Sequence, residues 1–191
     1  MHHPILDTGH RAGASAPNRP GLPPLIREVL VHPHPLLKRV CEPASADLAD
    51  RVVEDLIDTM RAHPRCVGLA APQIGEPVRV AVVDVRGHKL TDSSNGLLVL
   101  VDPMIEAAAG KHVAREGCLS LPAITADVRR ATRIVVSSPR GRRVWSAGFE
   151  ARAVQHELDH LDGVLILDRV ESVHALFPRS VPGAAPPGPR R

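Results

Sequence analysis

Five consecutive residues, His156-Glu157-Leu158-Asp159-His160, carry the sharpest chemical signal in this 191-residue chain. On a helix, positions i and i+4 lie one above the other on a single face, so His156 and His160 can offer two imidazoles to one ion. Glu157 then stands beside the first ligand, close enough to reach a water at the ion rather than the ion itself. A catalytic site of this kind wants three protein ligands and an open position. The third ligand is open on spacing alone. Asp162, Asp168, Glu171 and His174 follow His160, in no familiar ligand spacing. Cys118, in Glu116-Gly-Cys-Leu-Ser120, is an alternative, with Gly117 permitting close backbone approach. A lone cysteine is equally a small buried hydrophobe or a nucleophile paired with histidine.

A helix must hold the histidine pair. Residues 149–161 supply one: Phe149, Ala153, Val154, Leu158 and Leu161 recur at helical spacing, no Pro or Gly interrupts, and Gly163 stops it. Residues 47–62 form a second helix, with Leu48, Val52, Val53, Leu56, Ile57 and Met60 on one face, Asp47 as N-cap and Pro64 beyond its end. Residues 66–75 read as a small-residue loop. Strands are expected at 78–85, 97–101, 112–115, 134–137 and 144–146, with a turn region at 87–96 and a short apolar run at 164–167. Strands gathered between two helices, rather than alternating with them, indicate an α+β fold.

Composition bounds the rest. Hydrophobic residues make up 43% of the chain and aromatics 2%, so Val, Leu, Ile and Ala must build the core. The formal charge of +3 gives no nucleic-acid signature and no expectation of DNA binding. Three cysteines make no disulfide framework and point to a reducing compartment. No run approaches a membrane span, and the N-terminus has no secretory apolar region. Residues 1–24 and 178–191 are rich in Pro and Gly and are expected to be disordered extensions of a domain at 25–177.

Three segments together resemble the peptide deformylases. Cys66-Val-Gly-Leu-Ala-Ala-Pro-Gln73 is similar to their Gly-x-Gly-x-Ala-Ala-x-Gln loop. Glu116-Gly-Cys-Leu-Ser120 matches their EGCLS segment, and Gln155-His-Glu-Leu-Asp-His160 their QHExDH. They stand in the family's order and at similar separations. Pro33-His-Pro-Leu36 and the run at 159–169 extend the likeness over residues 26–170. The resemblance implies mostly antiparallel β-sheets packed around a central HExxH helix, with a helix nearer the N-terminus. It implies Cys118, His156 and His160 as ligands of one divalent metal, Fe2+ foremost, with Ni2+, Co2+ or Zn2+ as substitutes. Glu157 is then the general base and acid, with Gln73 and the Leu119 N–H stabilising an oxyanion. Val67, Gly68, Gly117 and Phe149 contact substrate, and Glu116 orients a ligand. Arg130 and Asp159 are expected in structural ion pairs, and Ala153 in the core.

The implied reaction removes the N-formyl group from formyl-Met of newly made polypeptides, in a monomeric cytoplasmic enzyme with transient ribosome contact. A different HExxH endopeptidase and a metal-binding homologue without catalysis are the rivals. Retained Glu157 and Gln73 argue against the latter, since structural metal binding needs neither. The sequence departs from the family at Cys66, where Gly is usual, and at Ala123, also a frequent Gly. The stretch at 140–146 is short. Pro178, Pro182, Pro186, Pro187 and Pro189 forbid the basic C-terminal helix of some members, leaving the basic tail for any RNA contact.

Overall fold

The computed structural model describes residues 23–139, 141 and 143–179. The expected disordered ends therefore fall outside the described residues, apart from 23–24 and 178–179. Among the described residues, nine short strands form three antiparallel three-stranded sheets. The first sheet is β1 (Gly68–Ala70), β2 (Val80–Val83) and β3 (Leu98–Val101), in that order. The second runs β4 (Met104–Ala109), β7 (Arg133–Ser137), β8 (Val144–Ala147). The third runs β5 (His112–Cys118), β6 (Leu121–Arg130), β9 (Leu176–Pro178). The α+β expectation, with antiparallel sheets around the HExxH helix, is met.

Strand β2, at the centre of the first sheet, is buried on both faces, and the sheet's period-2 alternation sorts its side chains between two helices. Leu69, Val80 and Val82 pack with Val52, Leu56, Ile57 and Met60 of α1 (Ala46–Ala62). Ala70, Ala81 and Val83 pack with Ala151, Ala153, Val154, Leu158 and Leu161 of α2 (Gly148–Leu161), in a cluster that also takes Ile134, Val136 and Val144 from the second sheet. The small alanines on that side let α2 lie close. Arg152 donates to the Val128 and His112 carbonyls of the third sheet, so α2 touches all three sheets.

Differences from the sequence reading are local. Ser45, not Asp47, is the N-cap of α1; it is extended, while Asp47 already lies in the first helical turn, where its charge suits the helix dipole. Residues 66–75 are not simply a loop: they hold β1 and a 3-10 turn, Ala71–Ile74. The strand expected at 78–85 is regular only over Val80–Val83. Strands β4, β6 and β9 were not anticipated. Pro178 belongs to β9, paired with Ile124, and the Arg179 N–H donates to the Ala123 carbonyl. Ordered pairing thus passes the expected domain end by two residues. A short α3 (Ile166–Arg169) covers the apolar run after α2.

Gly163 ends α2 as expected, at φ +69°, and a Cβ there would lie 2.7 Å from the Lys38 carbonyl oxygen. Gly163→Ala should therefore destabilise the fold by about 1–3 kcal/mol, the cost of a strained left-handed residue, with the backbone clash added. Urea unfolding measures it, and an unchanged midpoint would contradict this placement.

Candidate metal centre

The helical spacing performs as expected: His156 and His160 share one face of α2, with ring centroids 5.1 Å apart. Strand β5 delivers the third donor. Glu116 and Cys118 are buried while Arg115 and Gly117 face outward. The Cys118 Sγ lies 3.2 Å from His160 Nε2. One donor atom from each of Cys118, His156 and His160 falls within 4.8 Å of the others. None of the downstream residues Asp162, Asp168, Glu171 or His174 joins them. Burial pushes the Cys118 thiol up, but the adjoining His160 and His156 imidazoles outweigh it and hold the thiol well below its ordinary value. It is therefore available as thiolate, the form that binds metals.

A buried ion network fixes the His156 ring. Its Nδ1 is 2.9 Å from Glu116 Oε2. Arg130 donates to both Glu116 oxygens at 3.0 Å, and Arg152 to Oε1 at 2.6 Å. Burial alone would raise the Glu116 carboxyl; His156 and Arg130 bring it down to about 2. Arg130 also pairs with Asp159, which Arg169 grips through both carboxylate oxygens. Buried charges paired this fully hold an orientation, whatever their net stability. The sequence reading had Glu116, Arg130 and Asp159 in these parts. It missed Arg152, although Arg152 sits one helical turn before His156 and so shares its face.

Gln73 is buried in the 3-10 turn after β1. Its Oε1 accepts the Ala70 N–H at 3.0 Å, which turns Nε2 towards Ser120 Oγ (3.2 Å) and Cys118 Sγ (3.6 Å). Leu119 occupies the tight turn between β5 and β6, next to Cys118. Glu157 is buried against the backbone of Gly68, where a Cβ would stand 2.4 Å from its Oε1. Burial pushes the Glu157 carboxyl up to about 7. Its Oε2 is buried without a hydrogen-bond partner, as is His160 Nδ1. Val67 and Phe149 are half-buried beside the α2 cluster, Phe149 stacked by His88 at 4.3 Å, a residue the sequence reading passed over. Ala153 is in the core, as expected. Cys66 packs on the α1 side and donates to the Gly68 carbonyl. Burial and then the Glu157 charge push its thiol up to about 12, and it does not join the three converging donors. A polar cleft of about 300 Å3 lined by Arg79, Arg129, Asp159 and Arg169 takes in none of the three donors.

The residues fit a divalent metal: a thiolate and two imidazoles converge, and an unpartnered buried carboxylate oxygen stands on the residue between them in sequence. The polypeptide deformylase family model matches residues 26–175. The chain belongs to that family. A peptide deformylase of Pelotomaculum thermopropionicum is 43% identical over 133 residues, 68% of this chain and 80% of the relative. The crystal structure of peptide deformylase from Thermotoga maritima matches with a TM-score of 0.66 at 36% identity, over 77% of this chain and 99% of that one. A class I type b peptide deformylase from Acinetobacter baumannii, crystallised with Met-Ala-Ser bound, matches with a TM-score of 0.67 at 29% identity, over 77% and 99% of the two chains. As a deformylase, this chain is a metal-dependent hydrolase that removes the N-formyl group of new polypeptides. No helix among the described residues is long and apolar enough to cross a membrane.

Proposed function

We propose that Cys118, His156 and His160 hold one divalent ion, Fe2+ in the native protein, and that Glu157 moves the proton in hydrolysis of the formyl amide. The observation that carries this is the convergence of the three donor atoms within 4.8 Å, with Glu157 Oε2 buried and unpartnered. The thiolate adds charge that a third imidazole would not, and both ferrous iron and zinc accept such a mixed donor set. Bound there, the ion supplies a Lewis acid that acidifies a water and polarises the formyl carbonyl.

The chain's own residues do the rest. Glu157 takes the attacking water's proton at Oε2; its raised value, near neutral pH, suits both taking and returning a proton. Gln73 Nε2 and the Leu119 N–H donate to the oxyanion formed by attack, and Gln73 is already locked through Ala70. As the C–N bond breaks, Glu157 hands its proton to the departing amine and formate leaves.

Substrate enters as an added strand. Among the described residues β1 pairs only with β2, and β5 only with β6, so each is a sheet edge. The two edges come from segments that flank the donors: Gly68 abuts Glu157, and Gly117 precedes Cys118. A peptide between Val67-Gly68 and Gly117 gains main-chain hydrogen bonds there. Its Met side chain then lies along α2 towards Ala153 and Phe149, which precede Glu157 by one and two turns on the same face. The Acinetobacter relative's bound Met-Ala-Ser has the composition of a deformylated product.

Protein loaded with Fe2+ without air should release formate from formyl-Met-Ala-Ser and leave an internal, unformylated peptide uncut. Exposure to air should then abolish turnover as Fe2+ and Cys118 oxidise. Cleavage of the internal peptide would favour the endopeptidase reading, and activity unchanged in air would point to nickel or zinc.

A further inference from the structure

Strand β9 brings a cation to the outer side of the site. Phe177 of β9 pairs with Thr125 of β6, and Thr125 with Gly117 of β5, so the three form one row across the sheet. On the same outward face, two residues from that row, Arg115 and Asp127 pair on one side of it and Arg179, beside Ala123, lies on the other. Arg115 is engaged twice: its Nε donates to Asp127 at 2.6 Å, and its guanidinium lies 3.3 Å above the Phe177 ring. Arg179 crosses the row instead. Its Nη1 is 3.1 Å from where a Cβ of Gly117 would stand, with the Thr125 methyl 3.6 Å from the same point. The Asp127 charge answers Arg115, while Arg179 makes no ion pair among the described residues. Glu116, the nearest carboxylate in sequence, faces the opposite side and is taken up by Arg130, Arg152 and His156.

The guanidinium of Arg179 thus fills the side-chain position that Gly117 leaves empty. In a β-sheet, the residue directly opposite another strand's residue is its main side-chain neighbour. A substrate strand paired along β5 would therefore meet, opposite Gly117, not a glycine but an arginine. If the Met side chain turns inward to Ala153 and Phe149, alternation turns the second side chain outward, to the face of Arg179.

We propose that Arg179 is a specificity-determining residue that favours acidic side chains, and disfavours basic ones, directly after the formyl-Met. This role rests on the deformylase reading and the added-strand geometry above. An exposed charge pair gives a modest discrimination, about threefold to fivefold in kcat/KM.

The test compares formyl-Met-Asp-Ser, formyl-Met-Lys-Ser and formyl-Met-Ala-Ser as substrates of the full-length, metal-loaded protein. Wild type should prefer Asp over Lys about threefold to fivefold, and raising the salt to about 1 M should flatten the preference, because screening then acts within about 3 Å. Arg179→Ala should abolish the preference, Arg179→Glu should invert it, and Arg179→Lys should restore its sign. Moving Asp and Lys to the third position should remove the effect. An Asp-to-Lys ratio identical in wild type, Arg179→Ala and Arg179→Glu overturns the inference, as does a ratio indifferent to salt. Turnover of the neutral peptide by wild type reports separately on the deformylase reading.

Discussion

Glu157→Gln should lower turnover of formyl-Met-Ala-Ser about 10²–10⁴-fold, the span typical of losing a positioned general base, and leave one metal ion per chain. Glutamine keeps the volume that fills the space against Gly68, where even one added methyl would meet the carboxylate at 2.4 Å. The backbone therefore has no reason to shift, and the loss reads on proton transfer alone. What glutamine lacks is a basic oxygen. The native carboxyl is held near neutrality by burial, so it accepts a proton without holding it too tightly to give back. Metal analysis and formate release on one preparation decide the matter. Turnover close to wild type would remove Glu157 from the mechanism; loss of the metal together with activity would make it structural.

Cys118→Ser should have the second large effect, on the ion itself. A serine hydroxyl stays protonated where the Cys118 thiol is drawn down by two imidazoles, so the site loses a charged donor as well as a soft one. Disturbing a residue that merely supports a ligand costs about 10–100-fold in affinity, and removing a ligand should exceed that. Dialysis against a chelator, followed by metal analysis, should find the variant stripped under conditions in which wild type keeps its ion. Full occupancy in the variant would mean that the third ligand lies elsewhere, among Asp162, Asp168, Glu171 or His174. Those residues stand apart from the donor cluster.

The site was more legible in the sequence than the sheets were. His156, Glu157 and His160 are set by one helical turn, a purely local regularity, and Glu116 to Cys118 by the alternation of one strand. Which cysteine joins the histidines is a long-range fact: Cys118 and His160 are 42 residues apart, and spacing alone left other ligands open. Strands β4 and β9 carry weak local signals. β4 is alanine-rich and exposed throughout, and exists because β7 pairs with it; β9 is three residues ending in a proline. Strand β6 hides its alternation behind Pro122 at one end and a buried Arg130 at the other, an arginine kept inside by Glu116 and Asp159. Arg152 was missed for the same reason. Its helical position placed it on the ligand face, but only the fold shows Glu116, Val128 and His112 arriving there to receive it. Propensity and pattern describe a residue's neighbours along the chain; buried ion pairs depend on neighbours in space.

X-ray absorption at the metal edge of the Fe2+-loaded protein tests the central claim most directly. One sulfur and two imidazole nitrogens should appear in the first coordination sphere, the sulfur near 2.3 Å and the nitrogens near 2.0–2.1 Å as a rough guide from zinc sites. The sulfur should vanish in Cys118→Ser. A first sphere of nitrogen and oxygen only, in wild type, would contradict the account.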